Sequence, residues 1–272
     1  MGTSSMYNGY SDGNSQRNPL LPDDFNDDTG NSNDGNQNQE NEQDSQENGK
    51  PNDKKWEDTK RSFSKLASGT SKNTRGAVSK YIKAYGGSKS ATKNAVSGIR
   101  TTVNLGNFLS NASTQGFKET LENLKIEYKN RSTNQVLNDL INYLAPNPIT
   151  KEDSIARKAL IVTMEKLYEL IENDNIDIES IDKLNEETIK QIIPLYVESY
   201  IYERLLNDLG SRIEANSLNS ANAVKLEKEL KEYINSKVEI AFKGLDATNT
   251  EFSKKQVESL YNQCYKVMED LK

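Results

Sequence analysis

The chain has 272 residues, a net charge of −6, no histidine and one cysteine, and only 33% of its residues are apolar. The absence of histidine excludes the imidazole base of serine and cysteine triads and every histidine-containing zinc or iron site. A single cysteine excludes an intrachain disulfide and a thiolate zinc cluster, and the low apolar content predicts that part of the chain has no hydrophobic core.

Charge is distributed in blocks along the chain. Residues 1 to 50 carry ten acidic and two basic side chains, whereas residues 51 to 100 carry twelve basic and three acidic ones. Residues 26 to 53 contain no aliphatic or aromatic side chain that could offset the entropy of ordering, which predicts a disordered acidic tether. Before it, residues 1 to 25 form an N-terminal peptide whose "NPLLPDDF" suits a short docking segment or an ordinary part of a tail.

Residues 54 to 114 form a basic region rich in Gly, Ser and Lys, which we predict to be helical. Val78, Ile82 and Tyr85 share one helical face, and Gly86 with Gly87 ends that pattern. A stripe of small residues at helical spacing follows and predicts a second helix that another backbone approaches closely; the stripe contains Ala91, Ala95, Gly98 or Ile99, Thr102 or Val103, and Gly106.

Residues 115 to 272 read as successive amphipathic helices, and no segment alternates with period two. Ser132 and Thr150 are predicted caps, Pro194 a kink or break, and Gly210 a stop. The predicted fold is therefore all-α, with a disordered acidic N-terminal tail, a basic helical linker region and a C-terminal multi-helix bundle.

No catalytic or metal-binding pattern stands out, so we expect neither enzymatic activity nor a cofactor. The carboxylates are scattered over Lys/Glu-rich helices, which is typical of solvated faces. "YGGSKSATKN" does not fit the phosphate-loop pattern and is interpreted as a turn between two basic helices. Cys264 lies on the apolar stripe of the last helix and is interpreted as buried packing.

The basic region is a candidate anion-binding surface. Its cations, interleaved with Tyr81 and Tyr85, suit nucleic-acid binding through release of phosphate counterions. The acidic tail would compete for the same surface, and an acidic protein partner is the open alternative. The candidate binding residues are Lys80, Lys83, Lys89, Lys93 and Arg100.

The N-terminus shows no signal peptide and no apolar run long enough for a membrane helix, so we expect a cytoplasmic protein without membrane attachment. Removal of Met1 would leave Gly2 with an unhindered α-amine. The myristoylation pattern needs a hydroxyl at position six, where this chain has Met6, which disfavours a lipid anchor.

Two segments carry a family resemblance. The opening "MGTSSMYNGYSDGNSQRNPLLPDDF" and the later "YIKAYGGSKSATKNAVSGIRTTVNLGNFLS" together resemble the QatB family of the bacterial Qat anti-phage defence systems. The resemblance implies three partners: a P-loop ATPase (QatA-like), a QueC-like ligase similar to the queuosine-pathway enzyme (QatC-like), and a TatD-like nuclease (QatD-like).

The resemblance also implies a chemical role for the N-terminus. A ligase of that kind generates an acyl-adenylate of a 7-deazaguanine, and an unhindered amine is the nucleophile that it accepts. We therefore expect Gly2 to be the modified residue and Thr3, Ser4, Ser5 and Tyr7 to be read by the enzyme. The helical domain would dock to the ATPase or the nuclease. The alternative is an adaptor that binds nucleic acid or partner proteins through residues 54 to 110.

Overall fold

The computed structural model describes residues 51–173, 181, 186–243 and 252–270, which form ten α-helices and no strand. The predicted all-α class is thereby confirmed for the described residues. The N-terminal peptide and most of the predicted tether lie outside them. The helices are α1 (Pro51–Ala67), α2 (Thr74–Ala84), α3 (Ser88–Lys93), α4 (Val96–Thr114), α5 (Phe117–Asn123), α6 (Thr133–Leu144), α7 (Lys151–Asn173), α8 (Glu186–Asn216), α9 (Ser220–Phe242) and α10 (Lys254–Glu269).

Side-chain caps set several helix starts where the sequence predicts them. Ser132 and Ser253 each form a capping box with the glutamine three residues later, at α6 and α10. The Thr150 hydroxyl accepts from the Asp153 backbone amide at 3.0 Å at the start of α7. At the other end, α6 finishes at Leu144, before Pro146. The predicted caps of α6 and α7 are therefore confirmed.

Helix α8 lies at the centre of the structure, and it shows that Gly210 is not a stop and that Pro194 is not a break. A kink at Pro194 stays a prediction. Helix α8 runs unbroken through Pro194 and past Gly210 to Asn216. A proline inside a helix costs about 3 kcal/mol and a glycine about 1 kcal/mol. The side chains of Ile192, Ile193, Tyr196, Val197 and Tyr200 are fully buried, because α8 packs against α7, α9, α1 and α4. Burial of several large apolar side chains, at about 1.5–3 kcal/mol each, outweighs both local costs.

Helix α10, the last in the chain, packs against helices from the first part of the described chain. It packs against α3, α9, α2 and α4, so helices from the basic region and from the C-terminal region share one hydrophobic core. None of the helices in the described part of the chain carries an apolar run that would cross a bilayer.

At its two glycines, the small-residue stripe of α4 is approached most closely by aromatic rings. A Cβ added at Gly98 would lie 2.6 Å from the ring of Tyr200, on α8. A Cβ added at Gly106 would lie 2.2 Å from the ring of Phe252. Both rings are buried, so the two glycines are required for the packing of α4 against its neighbours.

We expect Gly98→Ala to lower the free energy of unfolding by about 1–3 kcal/mol, because the new methyl group overlaps a fully buried ring. The matched control is Gly210→Ala, also within a helix, where the nearest neighbour would be 3.9 Å away. The control should be neutral or gain up to about 1 kcal/mol. Urea unfolding of both variants measures this, and equal midpoints would contradict the packing argument.

Candidate functional site

An acid-free stretch defines the candidate site. Residues 59 to 118 contain eleven Lys and Arg and no Asp or Glu. This stretch runs from the middle of α1 to the start of α5 and includes all five residues predicted for the basic surface. A group in this stretch that pairs with a carboxylate must therefore find that carboxylate outside residues 59 to 118.

Four of the predicted cations lie exposed on two consecutive helices. Lys80 and Lys83 share a face of α2, and Lys89 and Lys93 share a face of α3, because residues three or four apart are neighbours on a helix. The Lys80 ammonium donates to the Ser62 hydroxyl at 2.8 Å. Among the described residues, no carboxylate lies within 4 Å of the other three ammonium groups. These four residues, called the lysine surface below, are open to an anionic partner.

Arg100 differs from the lysine surface because it is already paired. Its guanidinium lies 2.7 Å from the Asp153 carboxylate, although 57% of the side chain is exposed. The same carboxylate accepts from the Ser97 hydroxyl at 2.6 Å and the Thr150 hydroxyl at 2.8 Å. These hydrogen bonds, that of Ser97 foremost, stabilise the ionised form and hold the pKa of Asp153 well below its usual range.

The N-terminus of α4 is occupied by a carboxylate from α7. Glu152 accepts from the backbone amides of Ser97 at 2.7 Å and Gly98 at 3.3 Å. It also accepts from the Tyr200 hydroxyl at 2.5 Å. The positive end of the α4 dipole, which would otherwise attract an anionic ligand, is thus neutralised by the chain itself.

The turn in "YGGSKSATKN" is closed in the same way. Gly86 and Gly87 have φ of 92° and 89°, which lets the chain reverse between α2 and α3. The Ser88 amide donates to the Glu269 carboxylate at 2.9 Å, and the Ser79 hydroxyl donates to the Glu269 carbonyl at 2.6 Å. The interpretation as a turn is confirmed, and a phosphate at this amide would have to displace Glu269.

A buried tyrosine network fixes α2 on α8. The Tyr81 and Tyr85 hydroxyls donate to Asp208 at 2.9 and 2.5 Å. The Arg204 guanidinium lies 4.5 Å from the centroid of the Tyr85 ring, and Trp56 of α1 contacts both tyrosines edge-on. Burial raises the pKa of both tyrosines, so they act as neutral donors. Tyr81 is only 2% exposed, so it serves the packing of the basic region and not its surface.

The remaining side chains that could bind a metal or act as a nucleophile are in positions typical of packing residues. Within the described ranges, no group of three or more Asp, Glu or Cys side chains is placed to hold a metal ion. Cys264 is fully buried, and burial raises the pKa of its thiol to about 12. Its predicted packing position is confirmed.

The lysines predicted to bind a partner are exposed, and their binding role stays a prediction. The sequence did not predict which carboxylates contact the helices that carry them. Glu152, Asp208 and Glu269 lie 54 or more residues from most of their partners along the chain. The available signal was the acid-free stretch itself, since helix N-termini and buried tyrosines need acceptors from somewhere. The predicted modification residues Gly2, Thr3, Ser4, Ser5 and Tyr7 lie outside the described residues.

One family comparison is informative. The family described as "Qat anti-phage system associated protein QatB" matches residues 86–269, about two thirds of the chain. No curated protein and no solved structure matches the chain.

We expect Asp153→Asn to lower the free energy of unfolding at pH 7 by about 1–3 kcal/mol, because it weakens the charge-assisted hydrogen bonds that the Asp153 carboxylate accepts from Ser97, Arg100 and Thr150. The Arg131–Asp139 pair, in which 42% of the Asp139 side chain is exposed, supplies the control Asp139→Asn, which should cost less than about 1 kcal/mol.

The effect of Asp153→Asn should depend on pH. Because the pKa of Asp153 is lowered in the folded state, its ionised form stabilises the protein fully above the unfolded-state pKa of about 3.9. That stabilisation is lost as pH falls towards the folded-state pKa. The difference in the free energy of unfolding between wild type and Asp153→Asn, measured with urea, should become smaller below about pH 4. A difference that stays constant down to pH 3 would contradict the assignment.

Proposed function

The chain belongs to the QatB family of the Qat anti-phage system, and we propose that it serves that system as a non-enzymatic substrate and scaffold. Family membership makes it a component of an anti-phage defence system. The proposal concerns its chemical role within that system and the partners that it meets there.

In the proposed reaction, the α-amine of Gly2 is joined to a 7-deazaguanine by the QueC-like ligase partner. The ligase activates the carboxylate of the deazaguanine with ATP to form an acyl-adenylate and pyrophosphate. The Gly2 nitrogen attacks the acyl carbon, a C–N bond forms, the C–O bond to AMP breaks, and the amine proton passes to solvent. Thr3, Ser4, Ser5 and Tyr7 are the residues that the ligase reads. The helical body docks to the P-loop ATPase or the TatD-like nuclease.

One contrast supports this role. The sequence "MGTSSMY" places an unhindered α-amine at Gly2, whereas Cys264, Tyr81 and Tyr85 of the helical body are buried or hydrogen-bonded. The only thiol, Cys264, has a pKa raised to about 12, and the tyrosines Tyr81 and Tyr85 are neutral donors to Asp208. The chain has no histidine to act as a base. The exposed lysines also carry amines, so what singles out Gly2 is an α-amine without a side chain beside it, in the peptide that the ligase is proposed to read.

Replacement of Gly2 by leucine should abolish conjugation and defence, because a bulky second residue retains Met1 and hinders the amine. The control Gly9→Leu changes a glycine of the same peptide away from the terminus. The mass of the N-terminal peptide, purified with and without the ligase partner, measures the outcome. A ligase-dependent mass increase should appear in wild type and in the control, and its persistence in Gly2→Leu would refute the proposal.

A second candidate is an adaptor that binds nucleic acid or an acidic protein through the basic region. The lysine surface favours it, since Lys80, Lys83, Lys89 and Lys93 are exposed within a 60-residue stretch that contains no acid. Arg100 contributes less because Asp153 already neutralises it. The two helix N-termini nearby are closed by Glu152 and Glu269, so binding would depend on the lysine ammonium groups.

Charge reversal of all four lysines to glutamate separates the two candidates. The adaptor hypothesis predicts weaker binding to a 20-base-pair DNA, with the slope of log K against log salt reduced by up to about 3 or 4. Conjugation at Gly2 should be unchanged. The control reverses Lys225, Lys228, Lys254 and Lys255, which are exposed on α9 and α10. Fluorescence anisotropy from 50 to 300 mM salt measures the DNA affinity of both variants. A wild-type affinity that does not change with salt concentration would exclude the DNA adaptor.

A further inference from the structure

Two aliphatic side chains are exposed close together near the start of α7. Ile149, in the turn before this helix, is 95% exposed, and Val96, the first residue of α4, is 58% exposed. Both lie next to Asp153, whose carboxylate accepts from the Ile149 backbone amide at 3.3 Å and from the hydroxyl of Ser97, which follows Val96, at 2.6 Å. Because exposed aliphatic groups gain free energy when another surface covers them, the pair marks a candidate contact surface.

Three cations next to the two aliphatic side chains complete a patch that has both apolar and basic groups. Arg100 and Lys151 are 57% and 70% exposed, whereas the carboxylates paired with them are only 16% and 18% exposed. Lys93 is exposed, and no carboxylate of the described residues lies within 4 Å of its ammonium group. The outward side of the patch is therefore positively charged. We call it the apolar–basic patch, and its members are Val96, Ile149, Lys93, Arg100 and Lys151.

One segment of the chain has the complementary composition. Between residues 11 and 50, the only aliphatic or aromatic side chains other than proline are those of Leu20, Leu21 and Phe25. They lie in "NPLLPDDFNDD", residues 18 to 28, which also contains four aspartates and no lysine or arginine. Its apolar groups suit the two aliphatic side chains of the patch, and its carboxylates suit the three cations. Residues 18 to 28, called the acidic–apolar segment below, therefore match the patch in both kinds of group.

An anionic membrane also combines apolar and negatively charged groups. A single myristoyl chain gives only marginal, reversible membrane binding, and the two aliphatic side chains of the patch bury fewer carbon atoms than such a chain. The acidic–apolar segment is therefore the better match.

The described chain begins beside the patch. Trp56, in the second turn of α1, has its ring centroid 5.2 Å from that of Tyr85. The Tyr85 hydroxyl donates to Asp208 at 2.5 Å, and the Lys151 ammonium group of the patch lies 4.0 Å from the same carboxylate. Only residues 29 to 50 separate the acidic–apolar segment from Pro51, where α1 starts, and a chain of that length spans up to about 80 Å. The segment can therefore reach the patch.

We propose that the acidic–apolar segment docks on the apolar–basic patch of the same molecule. Leu20, Leu21 and Phe25 cover the aliphatic side chains of the patch, while the aspartates pair with its cations. The covalent connection makes the contact intramolecular, which favours it over the same contact between two molecules. Because Lys93 also belongs to the lysine surface, the docked segment would compete there with an anionic partner. The inference goes beyond the proposed function, since it does not require conjugation at Gly2.

A photo-reactive side chain tests the contact in the full chain. The amino acid p-benzoylphenylalanine replaces Phe25, and mass spectrometry identifies the cross-linked tryptic peptides after irradiation. We expect cross-links to the peptides that contain Val96 and Ile149. The variant Val96→Asn/Ile149→Asn should lower their yield roughly fivefold or more, because the apolar contact is lost. The matched control Leu218→Asn/Val224→Asn changes two other aliphatic residues, which are 75% and 65% exposed, and should leave the yield unchanged.

The charged part of the contact is tested separately. Asp23→Asn/Asp24→Asn should lower the cross-link yield roughly twofold or more in 50 mM salt, because two ion pairs with the patch are lost. The difference from the chain with both aspartates should disappear in 500 mM salt, which screens exposed ion pairs. An equal yield of the two chains in 50 mM salt would contradict the assigned charge pairing.

Three results would overturn the proposal: cross-links that lie only outside the patch, an undiminished yield in Val96→Asn/Ile149→Asn, or cross-links that join a labelled to an unlabelled chain when ¹⁵N-labelled and unlabelled chains are mixed. Binding to phosphatidylglycerol vesicles that only Val96→Asn/Ile149→Asn abolishes, without cross-links to the patch, would assign the patch to a membrane instead. Circular dichroism checks the fold of that variant, and the positions of the cross-links in the chain without it test the contact independently.

The mass of the N-terminal peptide keeps this proposal apart from the proposed function. Conjugation at Gly2 without cross-links to the patch would refute the docking alone. Cross-links to the patch without conjugation would refute the conjugation alone.

Discussion

The structure depends on carboxylates that reach the acid-free stretch from other helices. Residues 59 to 118 include the N-termini of α3 and α4 and the hydroxyls of Tyr81 and Tyr85, which need acceptors, and they contain no acid to supply them. Glu152 on α7, Asp208 on α8 and Glu269 on α10 fill those positions. Because an unsatisfied buried donor costs about 1–3 kcal/mol, each carboxylate fixes the position of a basic helix as well as its charge. The early helices therefore pack correctly only when the late ones are in place.

The same arrangement explains why the lysine surface faces solvent. The internal carboxylates engage backbone amides, tyrosines and Arg100, and so they neutralise the inner side of the basic region. The lysines of α2 and α3 on the outer side have no such partner among the described residues. The inner side of α4 is also closely packed, because Gly98 and Gly106 leave room for the rings of Tyr200 and Phe252. The exposed side of α2 and α3 therefore carries four lysines and no carboxylate.

Under the proposed scaffold role, the chain meets its partners through groups of different chemistry. The α-amine of Gly2 is the proposed nucleophile, whereas the lysine surface is cationic. An anionic partner at the lysines would therefore leave the proposed reaction at Gly2 unaffected. Membership of the QatB family is consistent with such a division of roles.

The sequence by itself determined the features that depend on neighbouring residues. Helical periodicity, the serine and threonine caps, the Gly86–Gly87 turn and the buried position of Cys264 all follow from interactions within a few residues or one helical face. Only the tertiary structure decided that α8 continues through Pro194 and Gly210, since burial on several sides outweighs the local cost. It alone decided which carboxylates close α3 and α4, and that aromatic rings cover the α4 glycines. Those contacts join residues far apart in the chain, and no local pattern specifies which partner is brought near.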